Sequence, residues 1–508
     1  MKDPWKHSVR SILPPRCGPL GQPVAPTTYP RGKWQPLSSN LRSPILLFYY
    51  YLRTTSMDAS FINHLPPELL AIIASFTTDQ NAIFLLATVC RYWHNALTGT
   101  AVLWTSIDCR SESRTLILLR RSKSKPIDVT IDRARFTLKA VSLVADNAYR
   151  IRSMDVNLPP HHLRQVHDFF YCSAPILRIM RLRGREGDFA WSPPPHGPFS
   201  QDQLPALKAL YLEGYPFDLA RSTTMMTNGL TTLVLDNNRH GHHLHHLLEH
   251  LEHSKRLEHL SINLPNLNVY GPAPRVVSLP KLREVRMIHS PLALLQHLLL
   301  PPSTYLDIRT PSRKNVGENL LPDAWAQDTL LVVFQSRAIE SIRMVFSESK
   351  CAVLLLGSHL SVLMQAESTL SFRNSFYSYC LDSFQSLPIA NTKVLWFAQP
   401  PWLPFPGKFL SHSCTRLLLQ MRSLQRIILD GSVAQWLVRA LEPADGDVPC
   451  PNLGDLTVVR RAGHETNLRD GLLALSKQRE DRGCPLTSCI GSPGSSDWQE
   501  ITQLERVI

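Results

Sequence analysis

Between His240 and His259 the chain runs HGHHLHHLLEHLEHSKRLEH, which holds eight of its 20 histidines. Within it, His246-Leu247-Leu248-Glu249-His250 fits the H-x-x-E-H spacing, in which two histidines one helical turn apart bind zinc and the glutamate acts as base. That chemistry also needs a third ligand and a cleft, and the run announces neither. On a helix, Leu244, Leu247, Leu248 and Leu251 form one face, while His242, His246, Glu249, His250 and His253 form the opposite one. The expected role is a solvated face backed by a leucine stripe, with adventitious metal binding at most. Cys484 and Cys489 with His464 make a poorer zinc set, because the spacing is wrong and no fourth ligand is evident. Glycine-rich loops that would bring backbone N–H groups against a phosphate or an oxyanion are missing from the sequence. The expectation is a chain that is not an enzyme, with no catalytic residue, no resident metal and no cofactor.

The elements that would position any site must come from the chain's apolar content. Hydrophobic residues make up 44% of the 508 and charged residues 19%, enough to build a sizeable core and too few charges for wholesale disorder. The formal net charge of +13 suggests a polyanion partner until it is located. Residues 1–56 hold eight basic residues against the single acid Asp3, a net +7, and nine of the 40 prolines, leaving +6 on the other 452 residues. This leader is expected to be disordered, since proline-rich basic sequence has no period that builds a packed face. Its apolar run, Ile45 to Leu52, is too short to span a bilayer, which takes about 20 residues. A start of translation at Met57 would remove it altogether. The ten cysteines are scattered, with no C-x-x-C pair, and read as reduced thiols of a cytoplasmic or nuclear protein.

From Ile62 to Cys109 the chain reads INHLPPELLAIIASFTTDQNAIFLLATVCRYWHNALTGTAVLWTSIDC. Leu65-Pro66-Pro67-Glu68 suits a helix start, with proline in the first turn and an acid at the positive end of the dipole. Leu69, Ile72, Ile73 and Phe76 then recur at i, i+3, i+4 and i+7. After a break at 77–81, a second helix is expected through Phe84, Val89 and Trp93, capped near Thr98-Gly99 by a left-handed glycine. Leu65-Pro66-Pro67-Glu68-Leu69-Leu70, Val89-Cys90-Arg91-Tyr92-Trp93 and Leu103-Trp104, in this order and at these separations, resemble an F-box. The resemblance implies docking on a Skp-type adaptor of cullin-RING ubiquitin ligases. Carried over position by position, the adaptor-binding residues are Leu65, Pro66, Glu68, Leu69, Ile72, Ile73, Leu86, Val89, Cys90 and Trp93. His94 departs from the basic residue common after the tryptophan.

Beyond Arg150 a unit recurs of two apolar residues three apart and a third two further on. It occurs as Ile151, Met154, Val156; Leu177, Met180, Leu182; Leu207, Leu210, Leu212; Leu230, Leu233, Leu235; Leu257, Leu260, Ile262; and Leu282, Val285, Met287. It returns as Ile339, Ile342, Met344; Leu424, Ile427, Leu429; and Leu453, Leu456, Val458, with Leu306 to Ile308 and Val394 to Trp396 as degenerate candidates. Third positions of the first six are 26, 30, 23, 27 and 25 residues apart, close to the ~20–29 of leucine-rich repeats. Each unit predicts a short strand followed by a helix or an irregular segment. Residues 101–150, with Ile127, Val129 and Ile131 strand-like and Leu138 to Val144 helical, would be an atypical first repeat.

The expected fold is α/β: a small N-terminal helical F-box over 62–109, then an irregular leucine-rich-repeat-like solenoid over 110–478, with a loosely ordered tail over 479–508. Such chains resemble a large group of fungal F-box and leucine-rich-repeat proteins. That resemblance implies a substrate-recognition subunit: the F-box holds the adaptor, and through it the cullin-RING scaffold, while the repeats bind an unknown protein target. A scaffold that pairs with the adaptor outside ubiquitylation is an alternative. A basic nucleic-acid-binding protein is the weaker one, because Arg120-Arg121-Ser122-Lys123-Ser124-Lys125 is short and lacks interleaved aromatics. No membrane contact is expected.

Overall fold

The computed structural model describes residues 65–77, 80–133, 136–159, 162, 172–184, 203–214, 229–236, 243–265, 267–268, 275–288, 292–309, 338–346, 350–367, 381, 387–398, 407–442, 447–459 and 466–491. The chain divides into two compact units, Met1–Leu65 and Pro66–Ile508, and apart from Leu65 the described residues belong to the second. The basic leader lies outside them.

Three short helices come first: α1 (Pro67–Ser75), α2 (Gln80–Leu86) and α3 (Arg91–Gly99), followed by a 3₁₀ turn at Ala101–Trp104. The sequence predicts one helix where α2 and α3 lie. The chain breaks it at 87–90, where Ala87 and Thr88 still bond back to Ile83 and Leu85 but Cys90 is fully extended, with φ −159°. Gly99 closes α3 from within the helix, and the cap is Thr100 at φ −88°, so the expected left-handed glycine is not used.

The repeat units become an open sheet. In spatial order its first strands are β1 (Ser106–Asp108), β2 (Ile127–Asp132), β3 (Ile151–Asn157), β4 (Ile179–Arg183), β5 (Ala209–Glu213), β6 (Thr232–Asp236) and β7 (His259–Asn263). β9 (Glu284–Ile288) and β11 (Tyr305–Arg309) continue it, all parallel. β8 (Val277–Ser278) and β10 (Leu298–Leu299) pair apart as a two-stranded parallel sheet. The repeat's third positions stand side by side: Val156 against Leu182, Leu212, Leu235, Ile262, Met287 and Ile308. All of these are buried, as a strand must bury one side of its alternation.

Beyond β11 the chain departs from the repeat pattern. β12 (Ser341–Phe346), β13 (Lys350–Gly357) and β14 (Leu360–Glu367) form an antiparallel meander, and β14 lies parallel against β11. β12 then resumes the parallel order with β15 (Val394–Ala398), β16 (Arg426–Asp430), β17 (Asp455–Val459) and β18 (Thr487–Gly491). Among the described residues this sheet has sixteen strands, ordered from β1 to β18. Part of the segment expected as a loosely ordered tail is regular, since α9 (Thr466–Asp481) and β18 reach into 479–491; residues 492–508 lie outside the described residues.

Helices α4 (Glu112–Arg121) and α5 (Leu138–Ala145) pack together, their starts capped by Ser111 and Thr137 side chains. α6 (Leu244–His253) buries the predicted leucine stripe, and α7 (Gly407–Gln420), α8 (Gly431–Ala440) and α9 pack in succession. Buried arginines tie neighbouring units together. Arg150 donates to the Lys125 carbonyl and to Ser122 Oγ, and Arg479, fully buried, donates to the carbonyls of Pro449 and Cys450 at 2.8 Å each. Where β4 and β5 end, a Cβ on Gly214 (φ +61°) would stand 2.2 Å from the Gly184 carbonyl oxygen, so that position requires glycine.

The second face of the sheet changes character along its length. From β2 to β11 it carries polar and charged side chains in cross-strand pairs such as Arg152 on Asp128 and Arg286 on Asp307 at 3.0 Å. At β12, β15 and β16 it is apolar and buried: Val345, Trp396, Ala398 and Ile428 cluster, with Arg343 over the Trp396 ring at 4.6 Å. There the parallel strands are buried on both sides, the usual condition of a parallel sheet.

Candidate docking face

Pro66 enters α1 with φ −54°, and its carbonyl accepts from Leu69 and Leu70 N–H at 3.0 and 3.2 Å. Proline at the first helical position loses no bond there, and Glu68 lies at the positive end of the helix dipole. α1 packs on α3 and on the 3₁₀ turn, and it does so through Leu70 and Ala74, both fully buried. The predicted apolar series lies mostly on the other side. Leu69 is 45% exposed, Ile72 50% and Phe76 80%. Positions i, i+3 and i+7 share one stripe of a helix, so the three form a single apolar ridge turned to solvent.

Leu85 in α2 and Val89 in the following turn extend the outward apolar surface, at 63% and 45% exposed. Inside the helical unit are Ile83, Leu86, Trp93, Leu97, Leu103 and Trp104. Trp104 is fully buried and donates its indole N–H to the Leu97 carbonyl at 2.8 Å, while its ring meets Phe84 edge-on at 5.0 Å.

Of the ten residues the sequence assigns to docking, Pro66, Glu68, Leu69, Ile72 and Val89 are exposed, and Leu65, Ile73 and Cys90 are half-buried. Leu86 and Trp93, at 7% and 2% exposed, lie inside the unit rather than on its outer face. Sequence reasoning left out Phe76, Leu85 and Val102, the last 62% exposed. Phe76 was visible as the last member of the α1 series, but helical periodicity alone reads such a series as core.

The helical unit is clamped to α4 and β1. Arg114 of α4 donates to Asn81 Oδ1 at 2.7 Å and lies 5.0 Å over the Phe84 ring, and Arg121 lies 4.3 Å over Trp104. Burial lowers the pKa of the Arg121 guanidinium. Gln80 Nε2 donates to the Ser106 carbonyl at β1, and Lys123 Nζ to that of Gly99.

Within the histidine run, the described residues begin at His243. His250, expected on the solvated face, is 3% exposed, because α6 is covered on that flank as well as along its leucines. His246 Nδ1 is 4.0 Å from Glu249 Oε2. Among the described residues no group of three or more His, Cys, Asp or Glu could hold a metal ion. His240, His242 and His464 lie outside the described residues. Nor is any helix among the described residues long and apolar enough to cross a membrane.

The family profile described as F-box-like matches residues 62–110 of this chain, the segment that holds the three helices, the 3₁₀ turn and β1. No curated protein matches the chain. Residues 62–110 are an F-box-like domain, and domains of this kind generally bind Skp-type adaptors.

Proposed function

We propose that this chain is a substrate-recognition subunit of an SCF-type cullin-RING ubiquitin ligase. The observation that carries the reading is the outward apolar ridge Leu69, Ile72 and Phe76 within an F-box-like domain whose own core is already filled by Leu70, Leu97 and Trp104. Three large apolar side chains on solvent are unfavourable by roughly 1.5–3 kcal/mol each relative to burial, and a docked adaptor would recover much of that. The adaptor ties the chain to the cullin scaffold. The units behind the F-box, whose apolar positions stand in register from strand to strand, act as a leucine-rich-repeat-like solenoid that holds a protein target. The chain contributes no bond chemistry and needs no cofactor. It raises the effective concentration of a target lysine near a charged ubiquitin-conjugating enzyme, and the Arg114 and Arg121 clamp keeps F-box and repeats from reorienting while it does so.

Capture of a purified Skp-type adaptor by the wild-type chain, by Leu65→Ala/Pro66→Ala and by Ile72→Asp/Phe76→Asp tests this. Capture should fall at least about tenfold for the second variant, since even one of the two buried charges would disfavour the interface by more than about 1.4 kcal/mol. Undiminished capture by both variants would overturn the docking assignment. Capture of adaptor without cullin would favour a scaffold outside ubiquitylation.

A further inference from the structure

On the second face of β2–β11, charge is almost fully paired. Counting these strands and the residue directly before each, the solvent-reaching arginines lie against carboxylates: Arg152 on Asp128, Arg183 on Asp155, Arg283 on Glu258, Arg286 and Arg309 on Asp307. Three cations break the rule, and they are neighbours. Arg178 leads into β4, Lys208 leads into β5, and Arg181 is within β4; all three are exposed and have no carboxylate partner among the described residues. The N–H groups of Lys208 and Ala209 bond to the Arg178 carbonyl at 2.9 Å, which sets Lys208 beside Arg178. Arg181 stands in register with Tyr211, its guanidinium 4.7 Å over the phenol ring. Between Arg178 and Arg181 Ile179 is 39% exposed, and Val234 of β6 stands next to Tyr211.

From this juxtaposition we infer that β4–β6 hold a docking spot for an acidic peptide segment in which carboxylates flank an apolar side chain. The inference rests on the repeats being the target-binding part of the chain. Strands lie about 4.8 Å apart and rise about 3.3 Å per residue, so the three cations, Tyr211 and Ile179 fall within a patch about 10 Å across. That matches two or three residues of an extended peptide. Stacking on Tyr211 holds the Arg181 fork in place before a carboxylate arrives, so less rotamer entropy is lost on binding. A nucleic-acid strand fits less well: Asp155 beside Arg181 and Glu213 two residues beyond Tyr211 bound the positive patch, which leaves room for one or two acidic groups but not for a continuous run of phosphates.

Fluorescence anisotropy on the full chain tests the spot. The probes are a short labelled peptide alternating Glu and Leu, its Gln–Leu counterpart and a labelled oligouridylate. The Glu–Leu peptide should bind the wild type at least about tenfold tighter than Arg181→Gln/Lys208→Gln, and it should weaken as salt rises. Tyr211→Leu, which removes the stack and keeps the charges, should give a smaller loss. Equal binding of the Glu–Leu and Gln–Leu peptides, tighter binding of the oligouridylate, or equal affinity in the double variant would overturn it. Unchanged circular dichroism marks the variants as folded, as expected of exposed positions. Adaptor capture measured on the same samples separates the two readings. Loss of peptide binding contrast with capture intact sinks this spot alone, whereas peptide binding that survives without capture sinks the F-box assignment.

Discussion

The helical unit and the sheet carry the same kind of sequence signal and answer it in opposite ways. In β3–β7 the apolar positions of each repeat point inward without exception: Val156, Leu182, Leu212, Leu235 and Ile262 are at most 2% exposed. In α1 the apolar series Leu69, Ile72 and Phe76 points outward, and a quieter pair, Leu70 and Ala74, fills the interface with α3. A parallel strand has two neighbours that fix which side is inside. A short helix in a unit of three has one packed side, and surplus apolar residues on the other stay on solvent. The difference shows that periodicity reports an apolar face, and only packing says whether the chain itself or another molecule covers it.

The contrast can be broken most severely at Trp104. Trp104→Ala removes a fully buried ring, its bond to Leu97 and the seat of Arg121, and should lower stability by about 3–5 kcal/mol in denaturant unfolding, with adaptor capture lost alongside. A polar exception inside the sheet region comes next. Arg479→Ala leaves the Pro449 and Cys450 carbonyls without their donor and should be destabilising by about 2–4 kcal/mol, while retaining F-box function. If the outward ridge serves only a partner, Ile72→Ser and Phe76→Ser should change unfolding free energies by no more than about 0.5 kcal/mol and still reduce adaptor capture. A large loss of stability there would mean that the ridge belongs to the core after all.

The smallest effect is one of pH. Burial, with a further push from Asp108, raises the Cys109 thiol to about 12, and burial raises Cys450 to about 12 against the pull of Arg479. Both groups are harder to ionise in the fold than in the unfolded chain, where they titrate near 9.0. Their contribution to stability is therefore complete below about pH 9 and is lost as pH rises toward 12. Unfolding followed across that range should show the decline, and Cys109→Ala should flatten it. At pH 8 alkylation should spare Cys109 and Cys450 in the native chain.

Much of the architecture was legible in the residues. The proline start of α1, the strand positions from Ile127 to Met287, and Leu306 and Val394 as strand residues all derive from local pattern and turn chemistry. The break between α2 and α3 did not, because Ala87, Thr88 and Val89 are compatible with a helix and only Cys90's extended backbone stops it. The meander of β12–β14 was hidden because Val353, Leu355, Val362 and Met364 alternate without the repeat's spacing, and antiparallel pairing needs none. His250 looked solvated on a helical wheel, which cannot represent what packs against the flank of a helix.

By itself, then, the sequence determined the kind of many of the elements and an F-box-like module in front of a run of strand units, since these depend on interactions within a few residues. Tertiary structure decided which apolar residues are surface and which are core. It also decided that Arg178, Arg181 and Lys208 meet beside Tyr211, and that Arg121 grips Trp104. Those outcomes depend on which strands and helices become neighbours, and burial and charge pairing across neighbours are properties of the assembled fold.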